Sequence, residues 1–182
     1  MRKKLFALIL ILSVLTGLSS CHGSGTKASQ GPADPSDYIG DVNYSATAAA
    51  LIYEQIPGEE EGFYGIQYHE IADPKAFLEA SADPVCLYFY YSLSSENGGV
   101  TAGVEDLAQS LDGQLLFVAI DGAAEDQLAT EYEVEGFPEF VLIVPGRMTE
   151  NFGSKDRENW TTDEVEDWIR SRGFTPDYSK LQ

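Results

Sequence analysis

The side chains of this 182-residue chain best suited to covalent or proton-transfer chemistry are few: cysteines at 21 and 86, histidines at 22 and 69, and the Ser94-Ser95 pair. A thiolate attacks disulfides, but Cys86 stands inside Val85-Cys86-Leu87-Tyr88-Phe89-Tyr90-Tyr91, where burial raises a thiol's pKa and closes off access. It reads as a packing cysteine. Ser94 and Ser95 lie where a helix begins, so they suit capping, or an anion held on free backbone amides. Glu96 beside them opposes an anion, and no histidine is close in sequence to take a proton from either hydroxyl, so a hydrolase lacks its base. His69 falls in a strand-like segment and is expected to have a structural partner, whereas His22 is expected to be solvated. Glu59-Glu60-Glu61 has the charge for a cation but follows Pro57-Gly58, so a solvated turn is the expectation. No metal ligand set, catalytic group or cofactor motif emerges.

These residues must be held by elements whose periodicities are readable. Residues 45–56 carry a Ser45 cap and apolar Ala48, Leu51, Ile52 and Ile56, a helical spacing, so that 37–62 reads as an N-terminal helical extension. Residues 63–71 alternate loosely, with the aromatic and β-branched content of a strand. Asp73-Pro74 opens a short helix through Ala80. The run 85–91 reads as a strand buried on both faces, as in the middle of an α/β sheet. Alternation buries some of Tyr88, Tyr90 and Tyr91 as core, against the idea that all three form a stacking surface. Val100, Val104, Leu107, Ala108 and Leu111 recur at helical spacing after Gly98-Gly99. A strand over 115–120, a helix over 125–132, and strands over 140–144 and around 148–152 follow. Thr161 with Glu164 makes a capping box for a last helix, striped by Val165, Trp168 and Ile169. Residues 176–182 are left as a tail.

The start of the chain has another character. Arg2, Lys3 and Lys4 precede an apolar run of about 14 residues, which spans only about 21 Å as a helix, short of a roughly 30 Å hydrocarbon core. That is the layout of an export signal over residues 1–20. Its end, Leu18-Ser19-Ser20-Cys21, resembles the lipobox of bacterial lipoproteins. The resemblance implies cleavage before Cys21, lipid on its sulfur, and a cell-membrane location on the extracytoplasmic side. Residues 21–36, rich in Gly, Ser, Ala and Pro, read as a flexible tether. Loss of three of the 11 basic residues with the signal leaves eight against 30 acidic ones, a charge of −22. Such a charge opposes nucleic acid and anionic lipid surfaces and suits a cationic peptide or protein. With Cys21 acylated, no internal disulfide can form.

From residue 63 the order of elements is β α β α β α β β α, and it resembles the thioredoxin family over about 63–175. Gly136-Phe137-Pro138 ahead of an apolar strand sits where that family has its cis-proline. The resemblance implies a three-layer α/β/α sandwich with a mixed central sheet. It also implies a groove in which the backbone at Phe137, beside Pro138, receives an extended peptide by strand addition. The family's Cys-Gly-Pro-Cys falls on Ser94-Ser95-Glu96-Asn97, so both redox sulfurs are replaced. Its buried acid falls on Tyr88, the partner lysine on Phe117 and the helix-kinking proline on Ala102. A dithiol couple needs two thiols. The expectation is therefore a non-catalytic module that binds an envelope protein or extended peptide, with no cofactor. The alternative is an enzyme: a divergent thiol-disulfide oxidoreductase of that family, or disulfide exchange through Cys86 with a partner's thiol.

Overall fold

Alternation of side chains along a strand decides which residues meet which helices here. The computed structural model describes residues 34–92, 97–153 and 161–181. In chain order its strands are β1 (Ile39–Val42), β2 (Ala48–Gln55), β3 (Tyr64–Ile71), β4 (Val85–Tyr90), β5 (Leu116–Asp121), β6 (Glu139–Ile143) and β7 (Glu150–Gly153). Its α-helices are α1 (Pro74–Ala80), α2 (Asn97–Ser110), α3 (Asp126–Glu131) and α4 (Thr162–Ser171). The strands form one mixed sheet in the order β1-β3-β2-β5-β4-β6-β7. Only β4 and β5 pair in parallel, joined through α2, and every other neighbouring pair is antiparallel.

The apolar runs of β4 and β5 are buried from end to end because helices cover both faces of the sheet. Cys86, Tyr88, Phe117 and Phe140 point to one face, where Val104, Leu107 and Leu111 of α2 and Val165, Trp168 and Ile169 of α4 close over them. Val85, Leu87, Phe89, Val118 and Val141 point to the other, against Phe77 of α1 and Leu128 and Ala129 of α3. Each large side chain so buried contributes about 1.5–3 kcal/mol relative to exposure, and this double core fixes the register of β4. Helix starts are specified locally: Asp73 Oδ1 accepts from Ala76 N–H at 2.9 Å, with Pro74 in the first turn of α1. Thr161 and Glu164 form the expected capping box on α4, with Thr161 N–H donating to Glu164 Oε2 at 3.0 Å.

The N-terminal part departs from the sequence reading. Residues 37–62 are not a helical extension: they hold β1 and β2, and β2 lies inside the sheet between β3 and β5. Ala48, Ala49, Ala50 and Leu51 are all buried; their backbones pair with Ile120 to Phe117 of β5 on one side, and from Ala49 onward with β3 on the other. A short apolar run buried on both faces has no period that separates strand from helix. Here the open edge of β5 supplied the partner that helix propensity could not outweigh. The fold therefore begins near Ile39 rather than at residue 63, and Pro35–Tyr38, at the end of the expected tether, already forms a 3-10 turn. The segment 176–182 is also more than a tail. Tyr178–Leu181 is a 3-10 turn held on α2, with Asp177 N–H donating to Ser110 O at 2.7 Å and Lys180 Nζ to Asp112 Oδ2 at 2.9 Å.

Candidate functional site

The peptide bond between Phe137 and Pro138 is cis. It lies just before β6, whose pairing with β4 sets Glu139 opposite Phe89 and so brings the proline beside the end of β4. There Tyr91 and Phe137 stack, ring centroids 5.7 Å apart and planes 19° apart. Both rings are 37% exposed, large apolar surfaces offered to solvent at the mouth of the sheet. The turn after β5 completes the wall. Gly122 lies so close under Phe137 that a Cβ there would fall 2.1 Å from Cε1 of the ring. Gly122 N–H donates to Tyr90 O at 2.9 Å, tying this turn to the end of β4. Asp121, buried at the strand end, accepts from Ala123 N–H at 3.0 Å. Thr47 O accepts from Asp121 N–H at 2.7 Å, and Thr47 Oγ1 donates to Glu125 Oε1 at 2.7 Å.

Behind the proline, Glu139 is a buried carboxyl that the sequence did not single out. Asn151 Nδ2 donates to its Oε1 at 3.0 Å, and the side chain lies over Gly153, where a Cβ would meet Cγ at 2.5 Å. Burial pushes its pKa up, against the opposing pull of the hydrogen bonds from Asn151, Glu135 and Gly136.

The other predicted residues sort clearly. Cys86 is completely buried in β4, among Phe117 and the α2 side chains, and burial pushes its thiol far up. Its relative exposure is 0%, so no reagent in solution reaches the sulfur in the folded state. Ser94, Ser95 and Glu96 lie outside the described residues, as does the side chain of Asn97, whose backbone opens α2. Cys21 and His22 lie outside them too. Tyr88 is buried, stacked on Phe140 at 5.2 Å with its hydroxyl 3.2 Å from Thr101 Oγ1, so an aromatic contact occupies the place expected for an acid. Phe117 is buried opposite Cys86, and Ala102 lies within α2. His69 does have structural partners: Nδ1 is 2.9 Å from Gly40 O and Nε2 2.9 Å from Glu54 Oε1. Both partners only accept, so the two bonds coexist when the ring is doubly protonated. Burial pulls the histidine's pKa down, but the Gly40 carbonyl and Glu54 carboxylate outweigh it and the net shift is upward. Among the described residues no group of three or more His, Cys, Asp or Glu is placed to hold a metal ion. Among them, too, no helix is long and apolar enough to cross a membrane.

Sheet order, helix layers and the proline beside the β4 end define a thioredoxin-like α/β protein. The thioredoxin family model matches residues 69–170, more than half of the chain, and the chain belongs to the thioredoxin family. Several solved structures are similar to the chain at low identity. The germline-specific thioredoxin Deadhead of Drosophila melanogaster is 19% identical, covering 54% of this chain and 89% of its own, with a TM-score of 0.45. Mitochondrial thioredoxin 3 of Saccharomyces cerevisiae, in its oxidised form, is 22% identical, covering 50% and 80%, with a TM-score of 0.43. The first thioredoxin domain of mouse protein disulfide-isomerase A4 is 21% identical, covering 69% and 85%, with a TM-score of 0.45. No curated protein matches the sequence.

Proposed function

We propose that this chain is a membrane-anchored, extracytoplasmic lipoprotein whose thioredoxin-like domain binds an extended segment of an envelope protein or peptide and carries out no thiol-disulfide exchange. The observation that carries this reading is the pairing of an exposed Tyr91–Phe137 wall and a cis-proline with Cys86, the one free thiol among the described residues, sealed in the core. A segment laid along Phe137 gains main-chain hydrogen bonds and apolar contact there. Exchange, by contrast, needs an accessible thiolate and a second thiol. The four positions that hold the family's redox motif are Ser94-Ser95-Glu96-Asn97, and the acidic surface favours a basic partner and disfavours nucleic acid. The anchor is the lipid expected on Cys21.

A photo-reactive residue at position 91 of the full chain, activated in cells, tests the groove. Discrete adducts that disappear in Phe137→Asp are expected, and adducts unaffected by that change would rule the groove out. Insulin reduction by the purified chain should give no turnover; turnover abolished in Cys86→Ser would install the oxidoreductase reading instead. Radiolabelled palmitate should mark the wild type and not Cys21→Ala.

A further inference from the structure

A second concavity lies on the α2 face of the sheet, and the groove reading does not use it. Tyr44 before β2, Tyr68 on β3 and Tyr88 and Tyr90 on β4, with Thr101 and Glu105 of α2, line a cavity of about 320 Å³. That is the low end of the volumes that hold small molecules. The cavity adjoins a shallower basin reached by Ser92 and Asp121. Its walls are aromatic: Tyr44 and Tyr68 have centroids 5.6 Å apart at 46°, and Tyr88 and Tyr90 5.8 Å apart at 30°.

The polar groups there have one sign. Glu105 accepts from Tyr68 Oη at 2.8 Å, and its other oxygen takes no hydrogen bond from a described residue. Neither does the half-buried Tyr90 hydroxyl make one with a described residue. Asp121 adds a second carboxylate at the adjoining basin, and among the described residues no lysine, arginine or histidine lines either space. Burial holds the Tyr68 and Tyr90 hydroxyls above their ordinary pKa, so these rings stay neutral and keep the electron-rich π-systems of uncharged tyrosines. An anion would meet two carboxylates, and a neutral apolar guest would leave Glu105 facing hydrocarbon. A compact cation satisfies both the ring faces and the carboxylate.

We propose that this tyrosine-lined cavity is a binding site for a small organic cation with an alkylammonium head, free in solution. The site is independent of peptide capture at Phe137. Calorimetric titration of the purified full-length chain with choline, and with its neutral isostere 3,3-dimethylbutanol, tests it. Choline is expected to bind at least about tenfold more tightly than the isostere, because only the cation gains from rings and carboxylate. Tyr90→Leu, which keeps apolar volume but removes a ring face, should weaken choline by roughly tenfold. Glu105→Gln should weaken it by a similar factor with no change of shape, and it answers the question if Tyr90→Leu does not fold. Equal affinity for choline and the isostere would overturn the proposal. So would absence of choline binding, or binding indifferent to Glu105→Gln.

Discussion

Alanine at position 122 offers a direct test of the aromatic wall. Gly122 has no left-handed backbone, so alanine is conformationally acceptable and alone gains about 0.4–1 kcal/mol by restricting the unfolded chain. Its Cβ, however, would lie 2.1 Å from Cε1 and 2.4 Å from Cζ of Phe137. The ring is part-exposed and can swing away, so the cost is the stack with Tyr91 rather than a crushed core. Such a pair is worth about 0.5–1.5 kcal/mol. In the wild-type background the two effects nearly offset, leaving a net change between a gain of about 0.5 and a loss of about 1 kcal/mol. With Phe137→Ala in place the obstruction has gone, and Gly122→Ala should stabilise by about 0.4–1 kcal/mol. The double-mutant cycle thus predicts a coupling of about 0.5–1.5 kcal/mol. Urea unfolding of the four chains reads it, since with a slope of about 2 kcal/mol per molar, 1 kcal/mol moves the midpoint by about 0.5 M. A Gly122→Ala effect identical in both backgrounds would refute the contact and the wall built on it.

Three other outcomes follow from the same geometry. In a Cys21→Ser chain, Cys86 should react with a disulfide reagent only as fast as the protein unfolds, accelerating with urea; native labelling at the rate of a free thiol would contradict its burial. His69 has its pKa raised, so its stabilisation is complete below the ordinary value near 6.5 and fades as pH rises through the folded value. The melting-temperature gap between wild type and His69→Gln should accordingly be larger at about pH 5.5 than at about pH 8.5, and a gap independent of pH would exclude the charged pair with Glu54. Gly103→Ala places a Cβ 2.5 Å from Thr162 Cγ2 where α2 crosses the start of α4. Overpacking of about 1–3 kcal/mol should exceed the roughly 1 kcal/mol that alanine gains in helix propensity, so thermal unfolding should show a net loss; a gain would mean the helices are further apart.

Much of this arrangement was legible because one cause dominated at each place. The unbroken run at 85–91 could only be covered on both faces, and the Thr161–Glu164 spacing acts within a single helical turn. The 37–62 segment is ambiguous in sequence because Ala48 to Leu51 suits a helical spacing as well as it fills a central strand. What decided between them was the edge of β5, some seventy residues away. The same distance hid the site's supports. Gly136-Phe137-Pro138 advertised itself locally, but Gly122 under the ring, Glu139 behind the proline and the meeting of Tyr44, Tyr68 and Tyr90 with Glu105 exist only once strands are paired. Asp121-Gly122 carried the weak signal of a turn and nothing of its closeness to Phe137.

The strand between β3 and β5 also bears on how the chain assembles. β1, β2 and β3 are joined by short connections and pair with one another, and β1 and β2 precede the stretch that the family model matches. The remaining strands form their own paired set, and the two groups meet along four residue pairs, Ala48 to Leu51 against Ile120 to Phe117. Pairings within the meander close small loops early, whereas this seam closes a long one at greater entropic cost. The seam is thus where cooperative units divide: in native-state hydrogen exchange, amides bridging β2 and β5 should open with the meander while those between β4 and β6 stay protected to the global limit.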